Sequence, residues 1–389
     1  PRSDLVNATC AAAGTCATCA TFNRHDTDLI RAQGRNFIRL GVVWAGAQPR
    51  DEDALDPGFL ERLHAVLNLT DQEGIHVMLD NHGDMTSSAG CGNGAPIWFS
   101  QKAGPDLIGK PLASSFPFTL IDETNVKKVG GYDVCGDNAT AWAEHAGDPN
   151  YNLLNRCCLA MNGPNPGGLG YSTLNQNTMD YMLKQGPGRD AFVRFWALMA
   201  EAVKAHPSVS FIEPSNEPMS INRRAMYDTW RAVTEEVTKI VPDLSVAIAD
   251  TGEGAVLPGW VYTILDVLPL PYLAPSGDTV KWIKGSANVF YAWHWYGTPS
   301  SHADTLAHVQ TIEKDWNVPS FATEFMDCGI WDMCAQNNIS HSYWHYSAYC
   351  NTGPDFGNRK VPEETFGGCM LGWGGGHTGR CMPGDGGFI

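Results

Sequence analysis

Short apolar runs alternate along this chain with longer amphipathic stretches, and this alternation is the feature that most restricts the fold. The apolar runs have the length of strands, and the amphipathic stretches have the length and spacing of helices. Chains with this order form repeated β-α units around a parallel sheet. The sequence has 389 residues, which is enough for one large catalytic domain of this kind.

The apolar runs predict seven strands and the amphipathic stretches predict several helices. The strands cover residues 37–43, 75–80, 209–213, 244–249, 289–292, 320–323 and 342–345. The clearest helices cover residues 56–73, 190–205, 224–240 and 303–314. An eight-stranded barrel needs one more strand, which must precede Phe37 in a segment without a clear strand pattern. We predict an α/β fold of the (β/α)8 TIM-barrel type, as a single catalytic domain over residues 1–389.

Two long segments interrupt the repeat. Residues 83–185 are rich in Gly, Pro and Asn and hold four cysteines, and residues 346–389 form a Gly-rich tail with three cysteines. Both follow predicted strands, so both are expected at the carboxyl end of the barrel, where barrel enzymes have their active sites. Cysteines favour an ordered loop over a disordered one, and we predict a disulfide-stapled active-site lid at residues 83–185.

The cysteines and sequons indicate the secretory route. The chain has 12 cysteines, and disulfides explain them better than metal, because no second Cys-x-x-Cys or His pair completes a zinc set. Asn-x-Ser/Thr sequons begin at Asn7, Asn68, Asn138 and Asn338. The chain starts at Pro1 without an apolar leader. We expect a secreted, N-glycosylated protein whose signal peptide has been removed.

The charge and the hydropathy exclude several classes of partner. The formal net charge of -16 argues against nucleic acid, which needs clustered Lys and Arg. No apolar run approaches the roughly 20 residues that span a bilayer. A neutral carbohydrate or glycolipid substrate fits an acidic protein, and we expect a monomer with no integral membrane segment.

Polar and aromatic side chains lie in or directly after the predicted strands. They are Arg39, His82, Asn216, Glu217, His294, Tyr296, Glu324 and Trp344. Strand ends of a barrel converge on one mouth, so these side chains are expected to meet there. The two carboxylates, Glu217 and Glu324, indicate glycoside hydrolysis, in which one acid protonates the leaving oxygen and one carboxylate attacks or activates water. This chemistry requires neither a metal nor a cofactor.

The companion residues fit the same chemistry. Arg39 is expected to keep the attacking carboxylate ionised, and Tyr296 to donate a hydrogen bond to it. Asn216 is expected to bind the sugar 2-hydroxyl, while His294 tunes the acid/base. Trp344 is expected to stack on the apolar face of the sugar.

Each companion also has a structural interpretation when it is taken alone. Arg39 suits an ion pair, His82 suits a hydrogen-bonded loop, and Trp344 suits a core position. Glu213, at the end of its strand, is a possible decoy for Glu217. The joint pattern over several strand ends favours the functional interpretation.

At these positions the sequence resembles glycoside hydrolase family 5, a family of retaining (β/α)8 enzymes. Counting the strand expected before Phe37 as the first, the matches are Arg39 on the second strand, His82 after the third, Asn216-Glu217-Pro218 after the fourth, His294-x-Tyr296 after the sixth, Glu324 after the seventh and Trp344 on the eighth. The resemblance spans residues 24–349. It implies that Glu217 is the general acid/base and Glu324 the nucleophile.

Within that family, the local sequence is most similar to endoglycoceramidases and their relatives. The similar segments are residues 40–44, 48–49, 74–84, 93–98 and 343–346. The likeness implies that Asp84 is a ligand of a sugar hydroxyl.

The substrate is expected to be a β-glucoside with a bulky aglycone, such as a glycosphingolipid. A β-glucan or mannan substrate is the alternative, and a catalytically silent carbohydrate-binding barrel is a third. A lipid predicts an apolar patch beside the cleft. Its candidate residues are Trp98, Phe99, Leu107, Ile108, Phe116 and Phe118. A polysaccharide instead predicts an open groove with exposed Trp platforms.

Overall fold

The structure is a computed structural model. The described residues are 22–32, 34–83, 86–90, 92, 94–108, 112–113, 170, 172–220, 222–250, 275–295, 301–325, 328–342, 346–347 and 369–370.

The described strands form a parallel sheet. The strands are β1 (Phe37–Val42), β2 (His76–Asn81), β3 (Val209–Glu213), β4 (Ser245–Ala249), β5 (Val289–Trp295), β6 (Ser320–Phe325) and β7 (Ser340–His341). They pair in sequence order in a 7-stranded sheet, and each neighbouring pair is parallel. A short antiparallel pair joins β8 (Tyr346–Ser347) to β9 (Cys369–Met370).

Helices connect the parallel strands, as β-α units require. They are α1 (Arg24–Ala32), α2 (Trp44–Ala47), α3 (Pro57–Glu73), α4 (Ile97–Ala103), α5 (Thr173–Leu183), α6 (Pro187–Val203), α7 (Arg223–Ile240), α8 (Gly277–Gly285), α9 (His302–Trp316) and α10 (Cys328–Gln336). Two 3-10 turns, at Ser88–Gly90 and Pro105–Leu107, lie between β2 and α5.

Local sequence explains the bounds of these helices, and α3 is a clear case. The Asp56 side chain accepts a hydrogen bond from the Phe59 backbone N–H at 2.9 Å, and Pro57 occupies the first turn, where its missing N–H costs nothing. Gly74 ends the helix with φ 65, a left-handed conformation that glycine adopts without strain.

An apolar inner cluster shows that the sheet is curled. Its members are Met78, Ala247, Ala249, Phe290, Ala292 and Phe321, with Phe37 and Phe211 packed against it. Strands β1 and β6 are five spacings apart, which is about 24 Å in a flat sheet. The rings of Phe37 and Phe321 nevertheless lie only 5.0 Å apart. The two strands therefore face each other across the interior of the curled sheet.

The outer face of the sheet packs against the helices and forms the larger core. Tyr291 of β5 contacts Trp316 of α9 with ring centroids 6.0 Å apart, and Trp196 of α6 and Trp230 of α7 are fully buried. The two faces of β5 thus bury alternate residues in two different layers, which explains why every residue of this strand is buried.

The predicted elements agree with this fold in most places. The first six predicted strands coincide with β1–β6 within a few residues. The last was predicted at residues 342–345, but the described strand β7 is at Ser340–His341, and residues 343–345 lie outside the described part. The segment expected to hold the first barrel strand also lies outside it, as do most of the predicted lid and nearly all of the tail.

Little of the predicted disulfide framework falls on described residues. Cys91, Cys135, Cys157 and Cys158 of the predicted lid all lie outside them. Within the described part, Cys334 is a buried free thiol, and burial raises its pKa to about 12.

None of the helices in the described ranges is long and apolar enough to cross a membrane.

Candidate active site

The inner faces of the strands change from apolar to polar toward their carboxyl ends. Side chains alternate between the two faces of a strand, so every second residue points inward. The inward series run from Phe37 to Arg39 in β1, from Met78 to Asp80 in β2, from Phe211 to Glu213 in β3, from Phe290 to His294 in β5 and from Phe321 to Thr323 in β6. The inner cluster is thus the floor of a polar site at the carboxyl end of the sheet.

Arg39 is the centre of this site. Its Nε donates to Glu213 at 2.6 Å, its Nη1 to Glu324 at 2.7 Å and its Nη2 to the side-chain oxygen of Asn216 at 2.7 Å. Nη2 also lies 3.1 Å from a carboxylate oxygen of Asp80. Burial alone would lower the pKa of Arg39, but the three carboxylates outweigh it and raise the pKa. The guanidinium therefore stays charged and holds four strand ends together.

Asp80 and His82 form a second pair beside Arg39. Nδ1 of His82 lies 2.7 Å from Oδ2 of Asp80, the oxygen that also faces the guanidinium. Burial opposes the charge on His82, but the hydrogen bond and charge of Asp80 raise the pKa of His82 to about 9. At neutral pH the site therefore holds an imidazolium in addition to the guanidinium.

Glu217 lies in the loop that follows β3, and its backbone is in an unusual conformation. Its φ is 38, in the left-handed region that costs a residue with a side chain on the order of 1–3 kcal/mol. The loop before it is anchored from two sides: the Asn216 N–H donates to Asn81 O at 3.0 Å, and Trp196 Nε1 donates to Pro214 O at 3.3 Å. Strained backbone of this kind persists where surrounding contacts fix it, and such positions cluster at functional sites.

His294 connects the two glutamates. Its Nδ1 lies 2.9 Å from Oε1 of Glu217 and 3.9 Å from Oε2 of Glu324. Burial is the largest effect on His294 and lowers its pKa, so the ring is neutral near pH 7. A neutral imidazole is able to donate to, or accept from, Glu217 according to the protonation state of that carboxyl group.

A register shift brings Glu324 into the site. In the pairing of β5 with β6, Trp293 lies opposite Ala322 and His294 opposite Glu324, so Thr323 is an extra residue on β6. A β-bulge of this kind changes which side chain points inward, and here Thr323 and Glu324 both reach the interior. Burial raises the pKa of Glu324 and Glu217 adds to the rise, whereas His294 and Arg39 oppose it.

The two glutamates lie close together. Ligand atoms of Glu217, His294 and Glu324 all lie within 4.8 Å of one another. Within the described ranges this is the one group of acidic or histidine side chains with a spacing that suits a metal ion. A cation there would lie beside the guanidinium of Arg39, which already donates to Glu324. The arrangement therefore suits proton transfer better than metal binding.

The structure brings six of the nine predicted site residues together. They are Arg39, His82, Asn216, Glu217, His294 and Glu324. The other three, Asp84, Tyr296 and Trp344, lie outside the described residues.

Sequence reasoning missed Asp80 and treated Glu213 only as a decoy. Both side chains are about 1% exposed and pair with Arg39, and Glu213 also accepts a hydrogen bond from Thr323 at 3.1 Å. The signal was present, because a carboxylate inside an apolar strand must have a buried partner. Each lies two residues beyond an inward-facing apolar residue, which places it on the same face as Arg39.

The fold and the site together define a parallel α/β protein with a pair of carboxylates at the carboxyl end of its sheet. The family model described as Cellulase (glycosyl hydrolase family 5) matches residues 10–104. Endoglycoceramidase I of Rhodococcus hoagii (strain 103S) is 25% identical over an alignment of 389 positions, which covers 89% of this chain and 66% of that protein. An endoglycoceramidase of Cyanea nozakii is 26% identical over an alignment of 355 positions, which covers 85% of this chain and 61% of that protein.

A solved structure shares the fold. Endo-glycoceramidase II from Rhodococcus sp., in its ganglioside GM3 complex, superposes with a TM-score of 0.51 at 16% identity, over 87% of this chain and 71% of that one. The predicted resemblance to glycoside hydrolase family 5, and to its endoglycoceramidase-related members, is confirmed by the family match and the two relatives. The chain spans less than two thirds of the length of either relative.

Proposed function

We propose that this protein is a retaining β-glycosidase that cleaves a β-glucoside with a bulky aglycone, with a glycosphingolipid as its substrate. The observation that carries the proposal is the pairing of Glu217 with Glu324 across His294, with oxygen atoms within 4.8 Å. Retaining glycosidases hold their carboxyl groups ~5–5.5 Å apart, whereas inverting enzymes leave ~6.5–9.5 Å for a water molecule. The close spacing supports double displacement.

The first step transfers the sugar to the protein. A carboxylate oxygen of Glu324 bonds to the anomeric carbon while the bond to the aglycone oxygen breaks, and that oxygen takes the proton of Glu217. Arg39 keeps Glu324 ionised against the effect of burial, at a donor distance of 2.7 Å. His294, neutral and 2.9 Å from Glu217, orients the acid.

The second step releases the sugar. Glu217, now a carboxylate, takes a proton from water, and the water oxygen bonds to the anomeric carbon while the ester bond to Glu324 breaks. Until it takes that proton, the negative carboxylate of Glu217 accepts a hydrogen bond from the imidazole of His294. The configuration of the anomeric carbon is inverted twice, so it is retained.

The glycolipid part of the proposal is supported by the two relatives described above, which are both named endoglycoceramidases, and by the ganglioside GM3 complex of the solved structure. The predicted apolar patch needs revision. Phe99 is fully buried and Ile108 is 8% exposed, whereas Trp98 and Leu107 are half-buried. Phe116 and Phe118 lie outside the described residues. Of the four described candidates, Trp98 and Leu107 are therefore the ones exposed enough to contact a lipid.

A panel of substrates tests the proposal. The wild-type protein is incubated with a glycosphingolipid, an aryl β-glucoside, a β-1,4-glucan and a mannan, and products are followed by mass spectrometry and by proton NMR of the anomeric signal. We expect an intact glycan and ceramide from the glycosphingolipid, with the β-anomer formed first. A first-formed α-anomer would refute the mechanism. The matching family is described as Cellulase, so a glucan is the competing substrate. Preferred cleavage of the glucan would show that the substrate is a polysaccharide and not a glycosphingolipid.

We also propose the finer features that the sequence predicts. These are a complete (β/α)8 barrel in a single domain, a disulfide-stapled lid at residues 83–185, and secretion with N-glycosylation. Asn68 and Asn338 are exposed, as acceptor sites must be, and Asn7 and Asn138 lie outside the described residues. Expression through a secretory pathway, followed by intact-mass analysis before and after enzymatic deglycosylation and reduction, tests both modifications.

A further inference from the structure

The start of α5 contacts both ends of the long segment between β2 and α5. Nδ2 of Asn175 donates to Gly90 O at 2.8 Å, and the side-chain oxygen of Asn175 accepts from Thr86. Nε2 of Gln176 donates to Gly170 O at 2.9 Å. Neighbouring residues of one helix thus fix the backbone shortly after β2 and the backbone just before α5.

Gln176 makes a second contact, and it reaches the catalytic loop. The same Nε2 donates to Met219 O at 2.9 Å. Met219 is two residues beyond Glu217, whose φ of 38 requires support from its surroundings. Asn81 and Trp196 hold the loop before Glu217, and Gln176 holds it after Glu217.

A close approach of the backbone supports the same link. A Cβ on Gly170 would lie 1.9 Å from Sδ of Met219, so a larger residue here would require the Met219 side chain to move. The end of the long segment therefore contacts the residue whose carbonyl Gln176 binds. An amide nitrogen with two N–H groups is needed here, because both partners are carbonyl acceptors.

We propose that Gln176 is a positioning residue, which couples the end of the segment over residues 83–185 to the loop that presents Glu217. The inference rests on the proposed function, since it assigns Glu217 the role of general acid/base. Without the amide of Gln176, Glu217 keeps its carboxyl group but loses its fixed position relative to the leaving oxygen.

Leaving-group dependence separates this role from a general loss of structure. Acid catalysis matters for a poor leaving group such as an alkyl or ceramide alcohol, and little for 2,4-dinitrophenolate, which departs without protonation. Gln176→Met removes the donors and keeps a similar length. We expect kcat/KM to fall at least about tenfold on an alkyl β-glucoside, and less than about threefold on the dinitrophenyl β-glucoside.

Two further variants complete the comparison. Gln176→Glu fills the space of glutamine without N–H donors and should show the same selective loss. Asn177→Met is the matched control, because Asn177 is the exposed next residue of α5. It should leave both rates within about twofold. Equal losses on both substrates in the two Gln176 variants, or no loss on either, would overturn the proposal.

Amide hydrogen exchange gives a readout that does not depend on activity. In Gln176→Met we expect faster exchange in peptides covering residues 214–222, and unchanged exchange in peptides covering residues 86–95, which Asn175 holds. Unchanged exchange over residues 214–222 would also overturn the proposal. If the wild-type protein cleaves neither glucoside, the proposed function fails, and the exchange result alone then decides whether Gln176 anchors the loop.

Discussion

Replacement of Arg39 by Met removes the cation that three buried carboxylates share. Asp80, Glu213 and Glu324 have side chains that are 1%, 1% and 6% exposed, and each has an oxygen atom within 3.1 Å of the guanidinium. Loss of one partner from a buried ion pair costs about 3–5 kcal/mol, because the other charge stays buried without compensation. We expect a loss of unfolding free energy of at least this size at pH 7.

The pH dependence distinguishes this effect from a packing defect. In Arg39→Met the imidazolium of His82 still pairs with Asp80, whereas Glu213 and Glu324 lose the guanidinium. Burial then raises the pKa of Glu324 further above its value in the unfolded chain, and Glu213 becomes a second buried carboxylate without its ion-pair partner. A raised carboxyl pKa means that the native state binds more protons than the unfolded state, so stability falls as pH rises. With two such groups, the slope reaches about 2.7 kcal/mol per pH unit.

A second buried arginine supplies the control. Arg223 binds Asp250 through two hydrogen bonds of 2.8 and 2.6 Å, with side chains 5% and 3% exposed. Arg223→Met therefore affects one carboxylate, and its slope should not exceed about 1.4 kcal/mol per pH unit. Urea unfolding of both variants and the wild type between pH 5 and 8 measures these slopes. The loss of unfolding free energy in Arg39→Met should vary with pH more steeply than the loss in Arg223→Met. A loss that did not vary with pH, or that varied less than in Arg223→Met, would refute the idea that several buried carboxylates share Arg39.

Three further changes have defined outcomes. Glu324→Gln should abolish turnover of an aryl β-glucoside while calorimetry still detects sugar binding, and near-normal activity would show that another group is the nucleophile. The pKa of His82 is raised from 6.5 to about 9, so its charged form stabilises the fold fully below pH 6.5 and this stability is lost as pH rises through about 9. The difference in unfolding free energy between wild type and His82→Asn should therefore shrink by about 1.4 kcal/mol per pH unit in that window, and a constant difference would contradict the raised pKa. Gly83→Ala should destabilise by about 1–3 kcal/mol, because its Cβ would lie 2.5 Å from Gly94 Cα, whereas Gly46→Ala has nothing within 4 Å and should be neutral in the same thermal melts.

The order of the strands was predictable, because a chain in which strands alternate with helices forms a parallel sheet whose successive strands are neighbours. The apolar runs predicted the first six strands, and the polar residues in or after these strands predicted that Arg39, Glu217 and Glu324 lie in one site. The last strand was harder to place. Strand β7 pairs with β6 through only two residues, Ser340 and His341, which carry no apolar signal.

The contacts that each site residue makes were less predictable from the sequence than the identity of the residues that form the site. The sequence assigned Asn216 to a sugar hydroxyl, which stays a prediction, and it did not predict that the side-chain oxygen of Asn216 accepts a hydrogen bond from Arg39 at 2.7 Å. The inward turn of Glu324 depends on a one-residue bulge at Thr323, and a bulge leaves no mark in the hydrophobic pattern. The contact of Gln176 with Met219 joins residues 43 positions apart, and no pattern in either segment announces it.

In the proposed mechanism, the sharing of Arg39 among three carboxylates affects the reactivity of Glu324. An arginine devoted to Glu324 alone would stabilise the free carboxylate strongly, and that stabilisation would be lost when the carboxylate attacks the sugar. Glu213 and Asp80 take part of the guanidinium's hydrogen bonding, and burial still raises the pKa of Glu324. In the proposed mechanism, the carboxylate keeps its contact with the cation yet is a better nucleophile than one paired with an arginine of its own. On this proposal, Asp80 and Glu213 limit how much of the guanidinium's hydrogen bonding reaches Glu324.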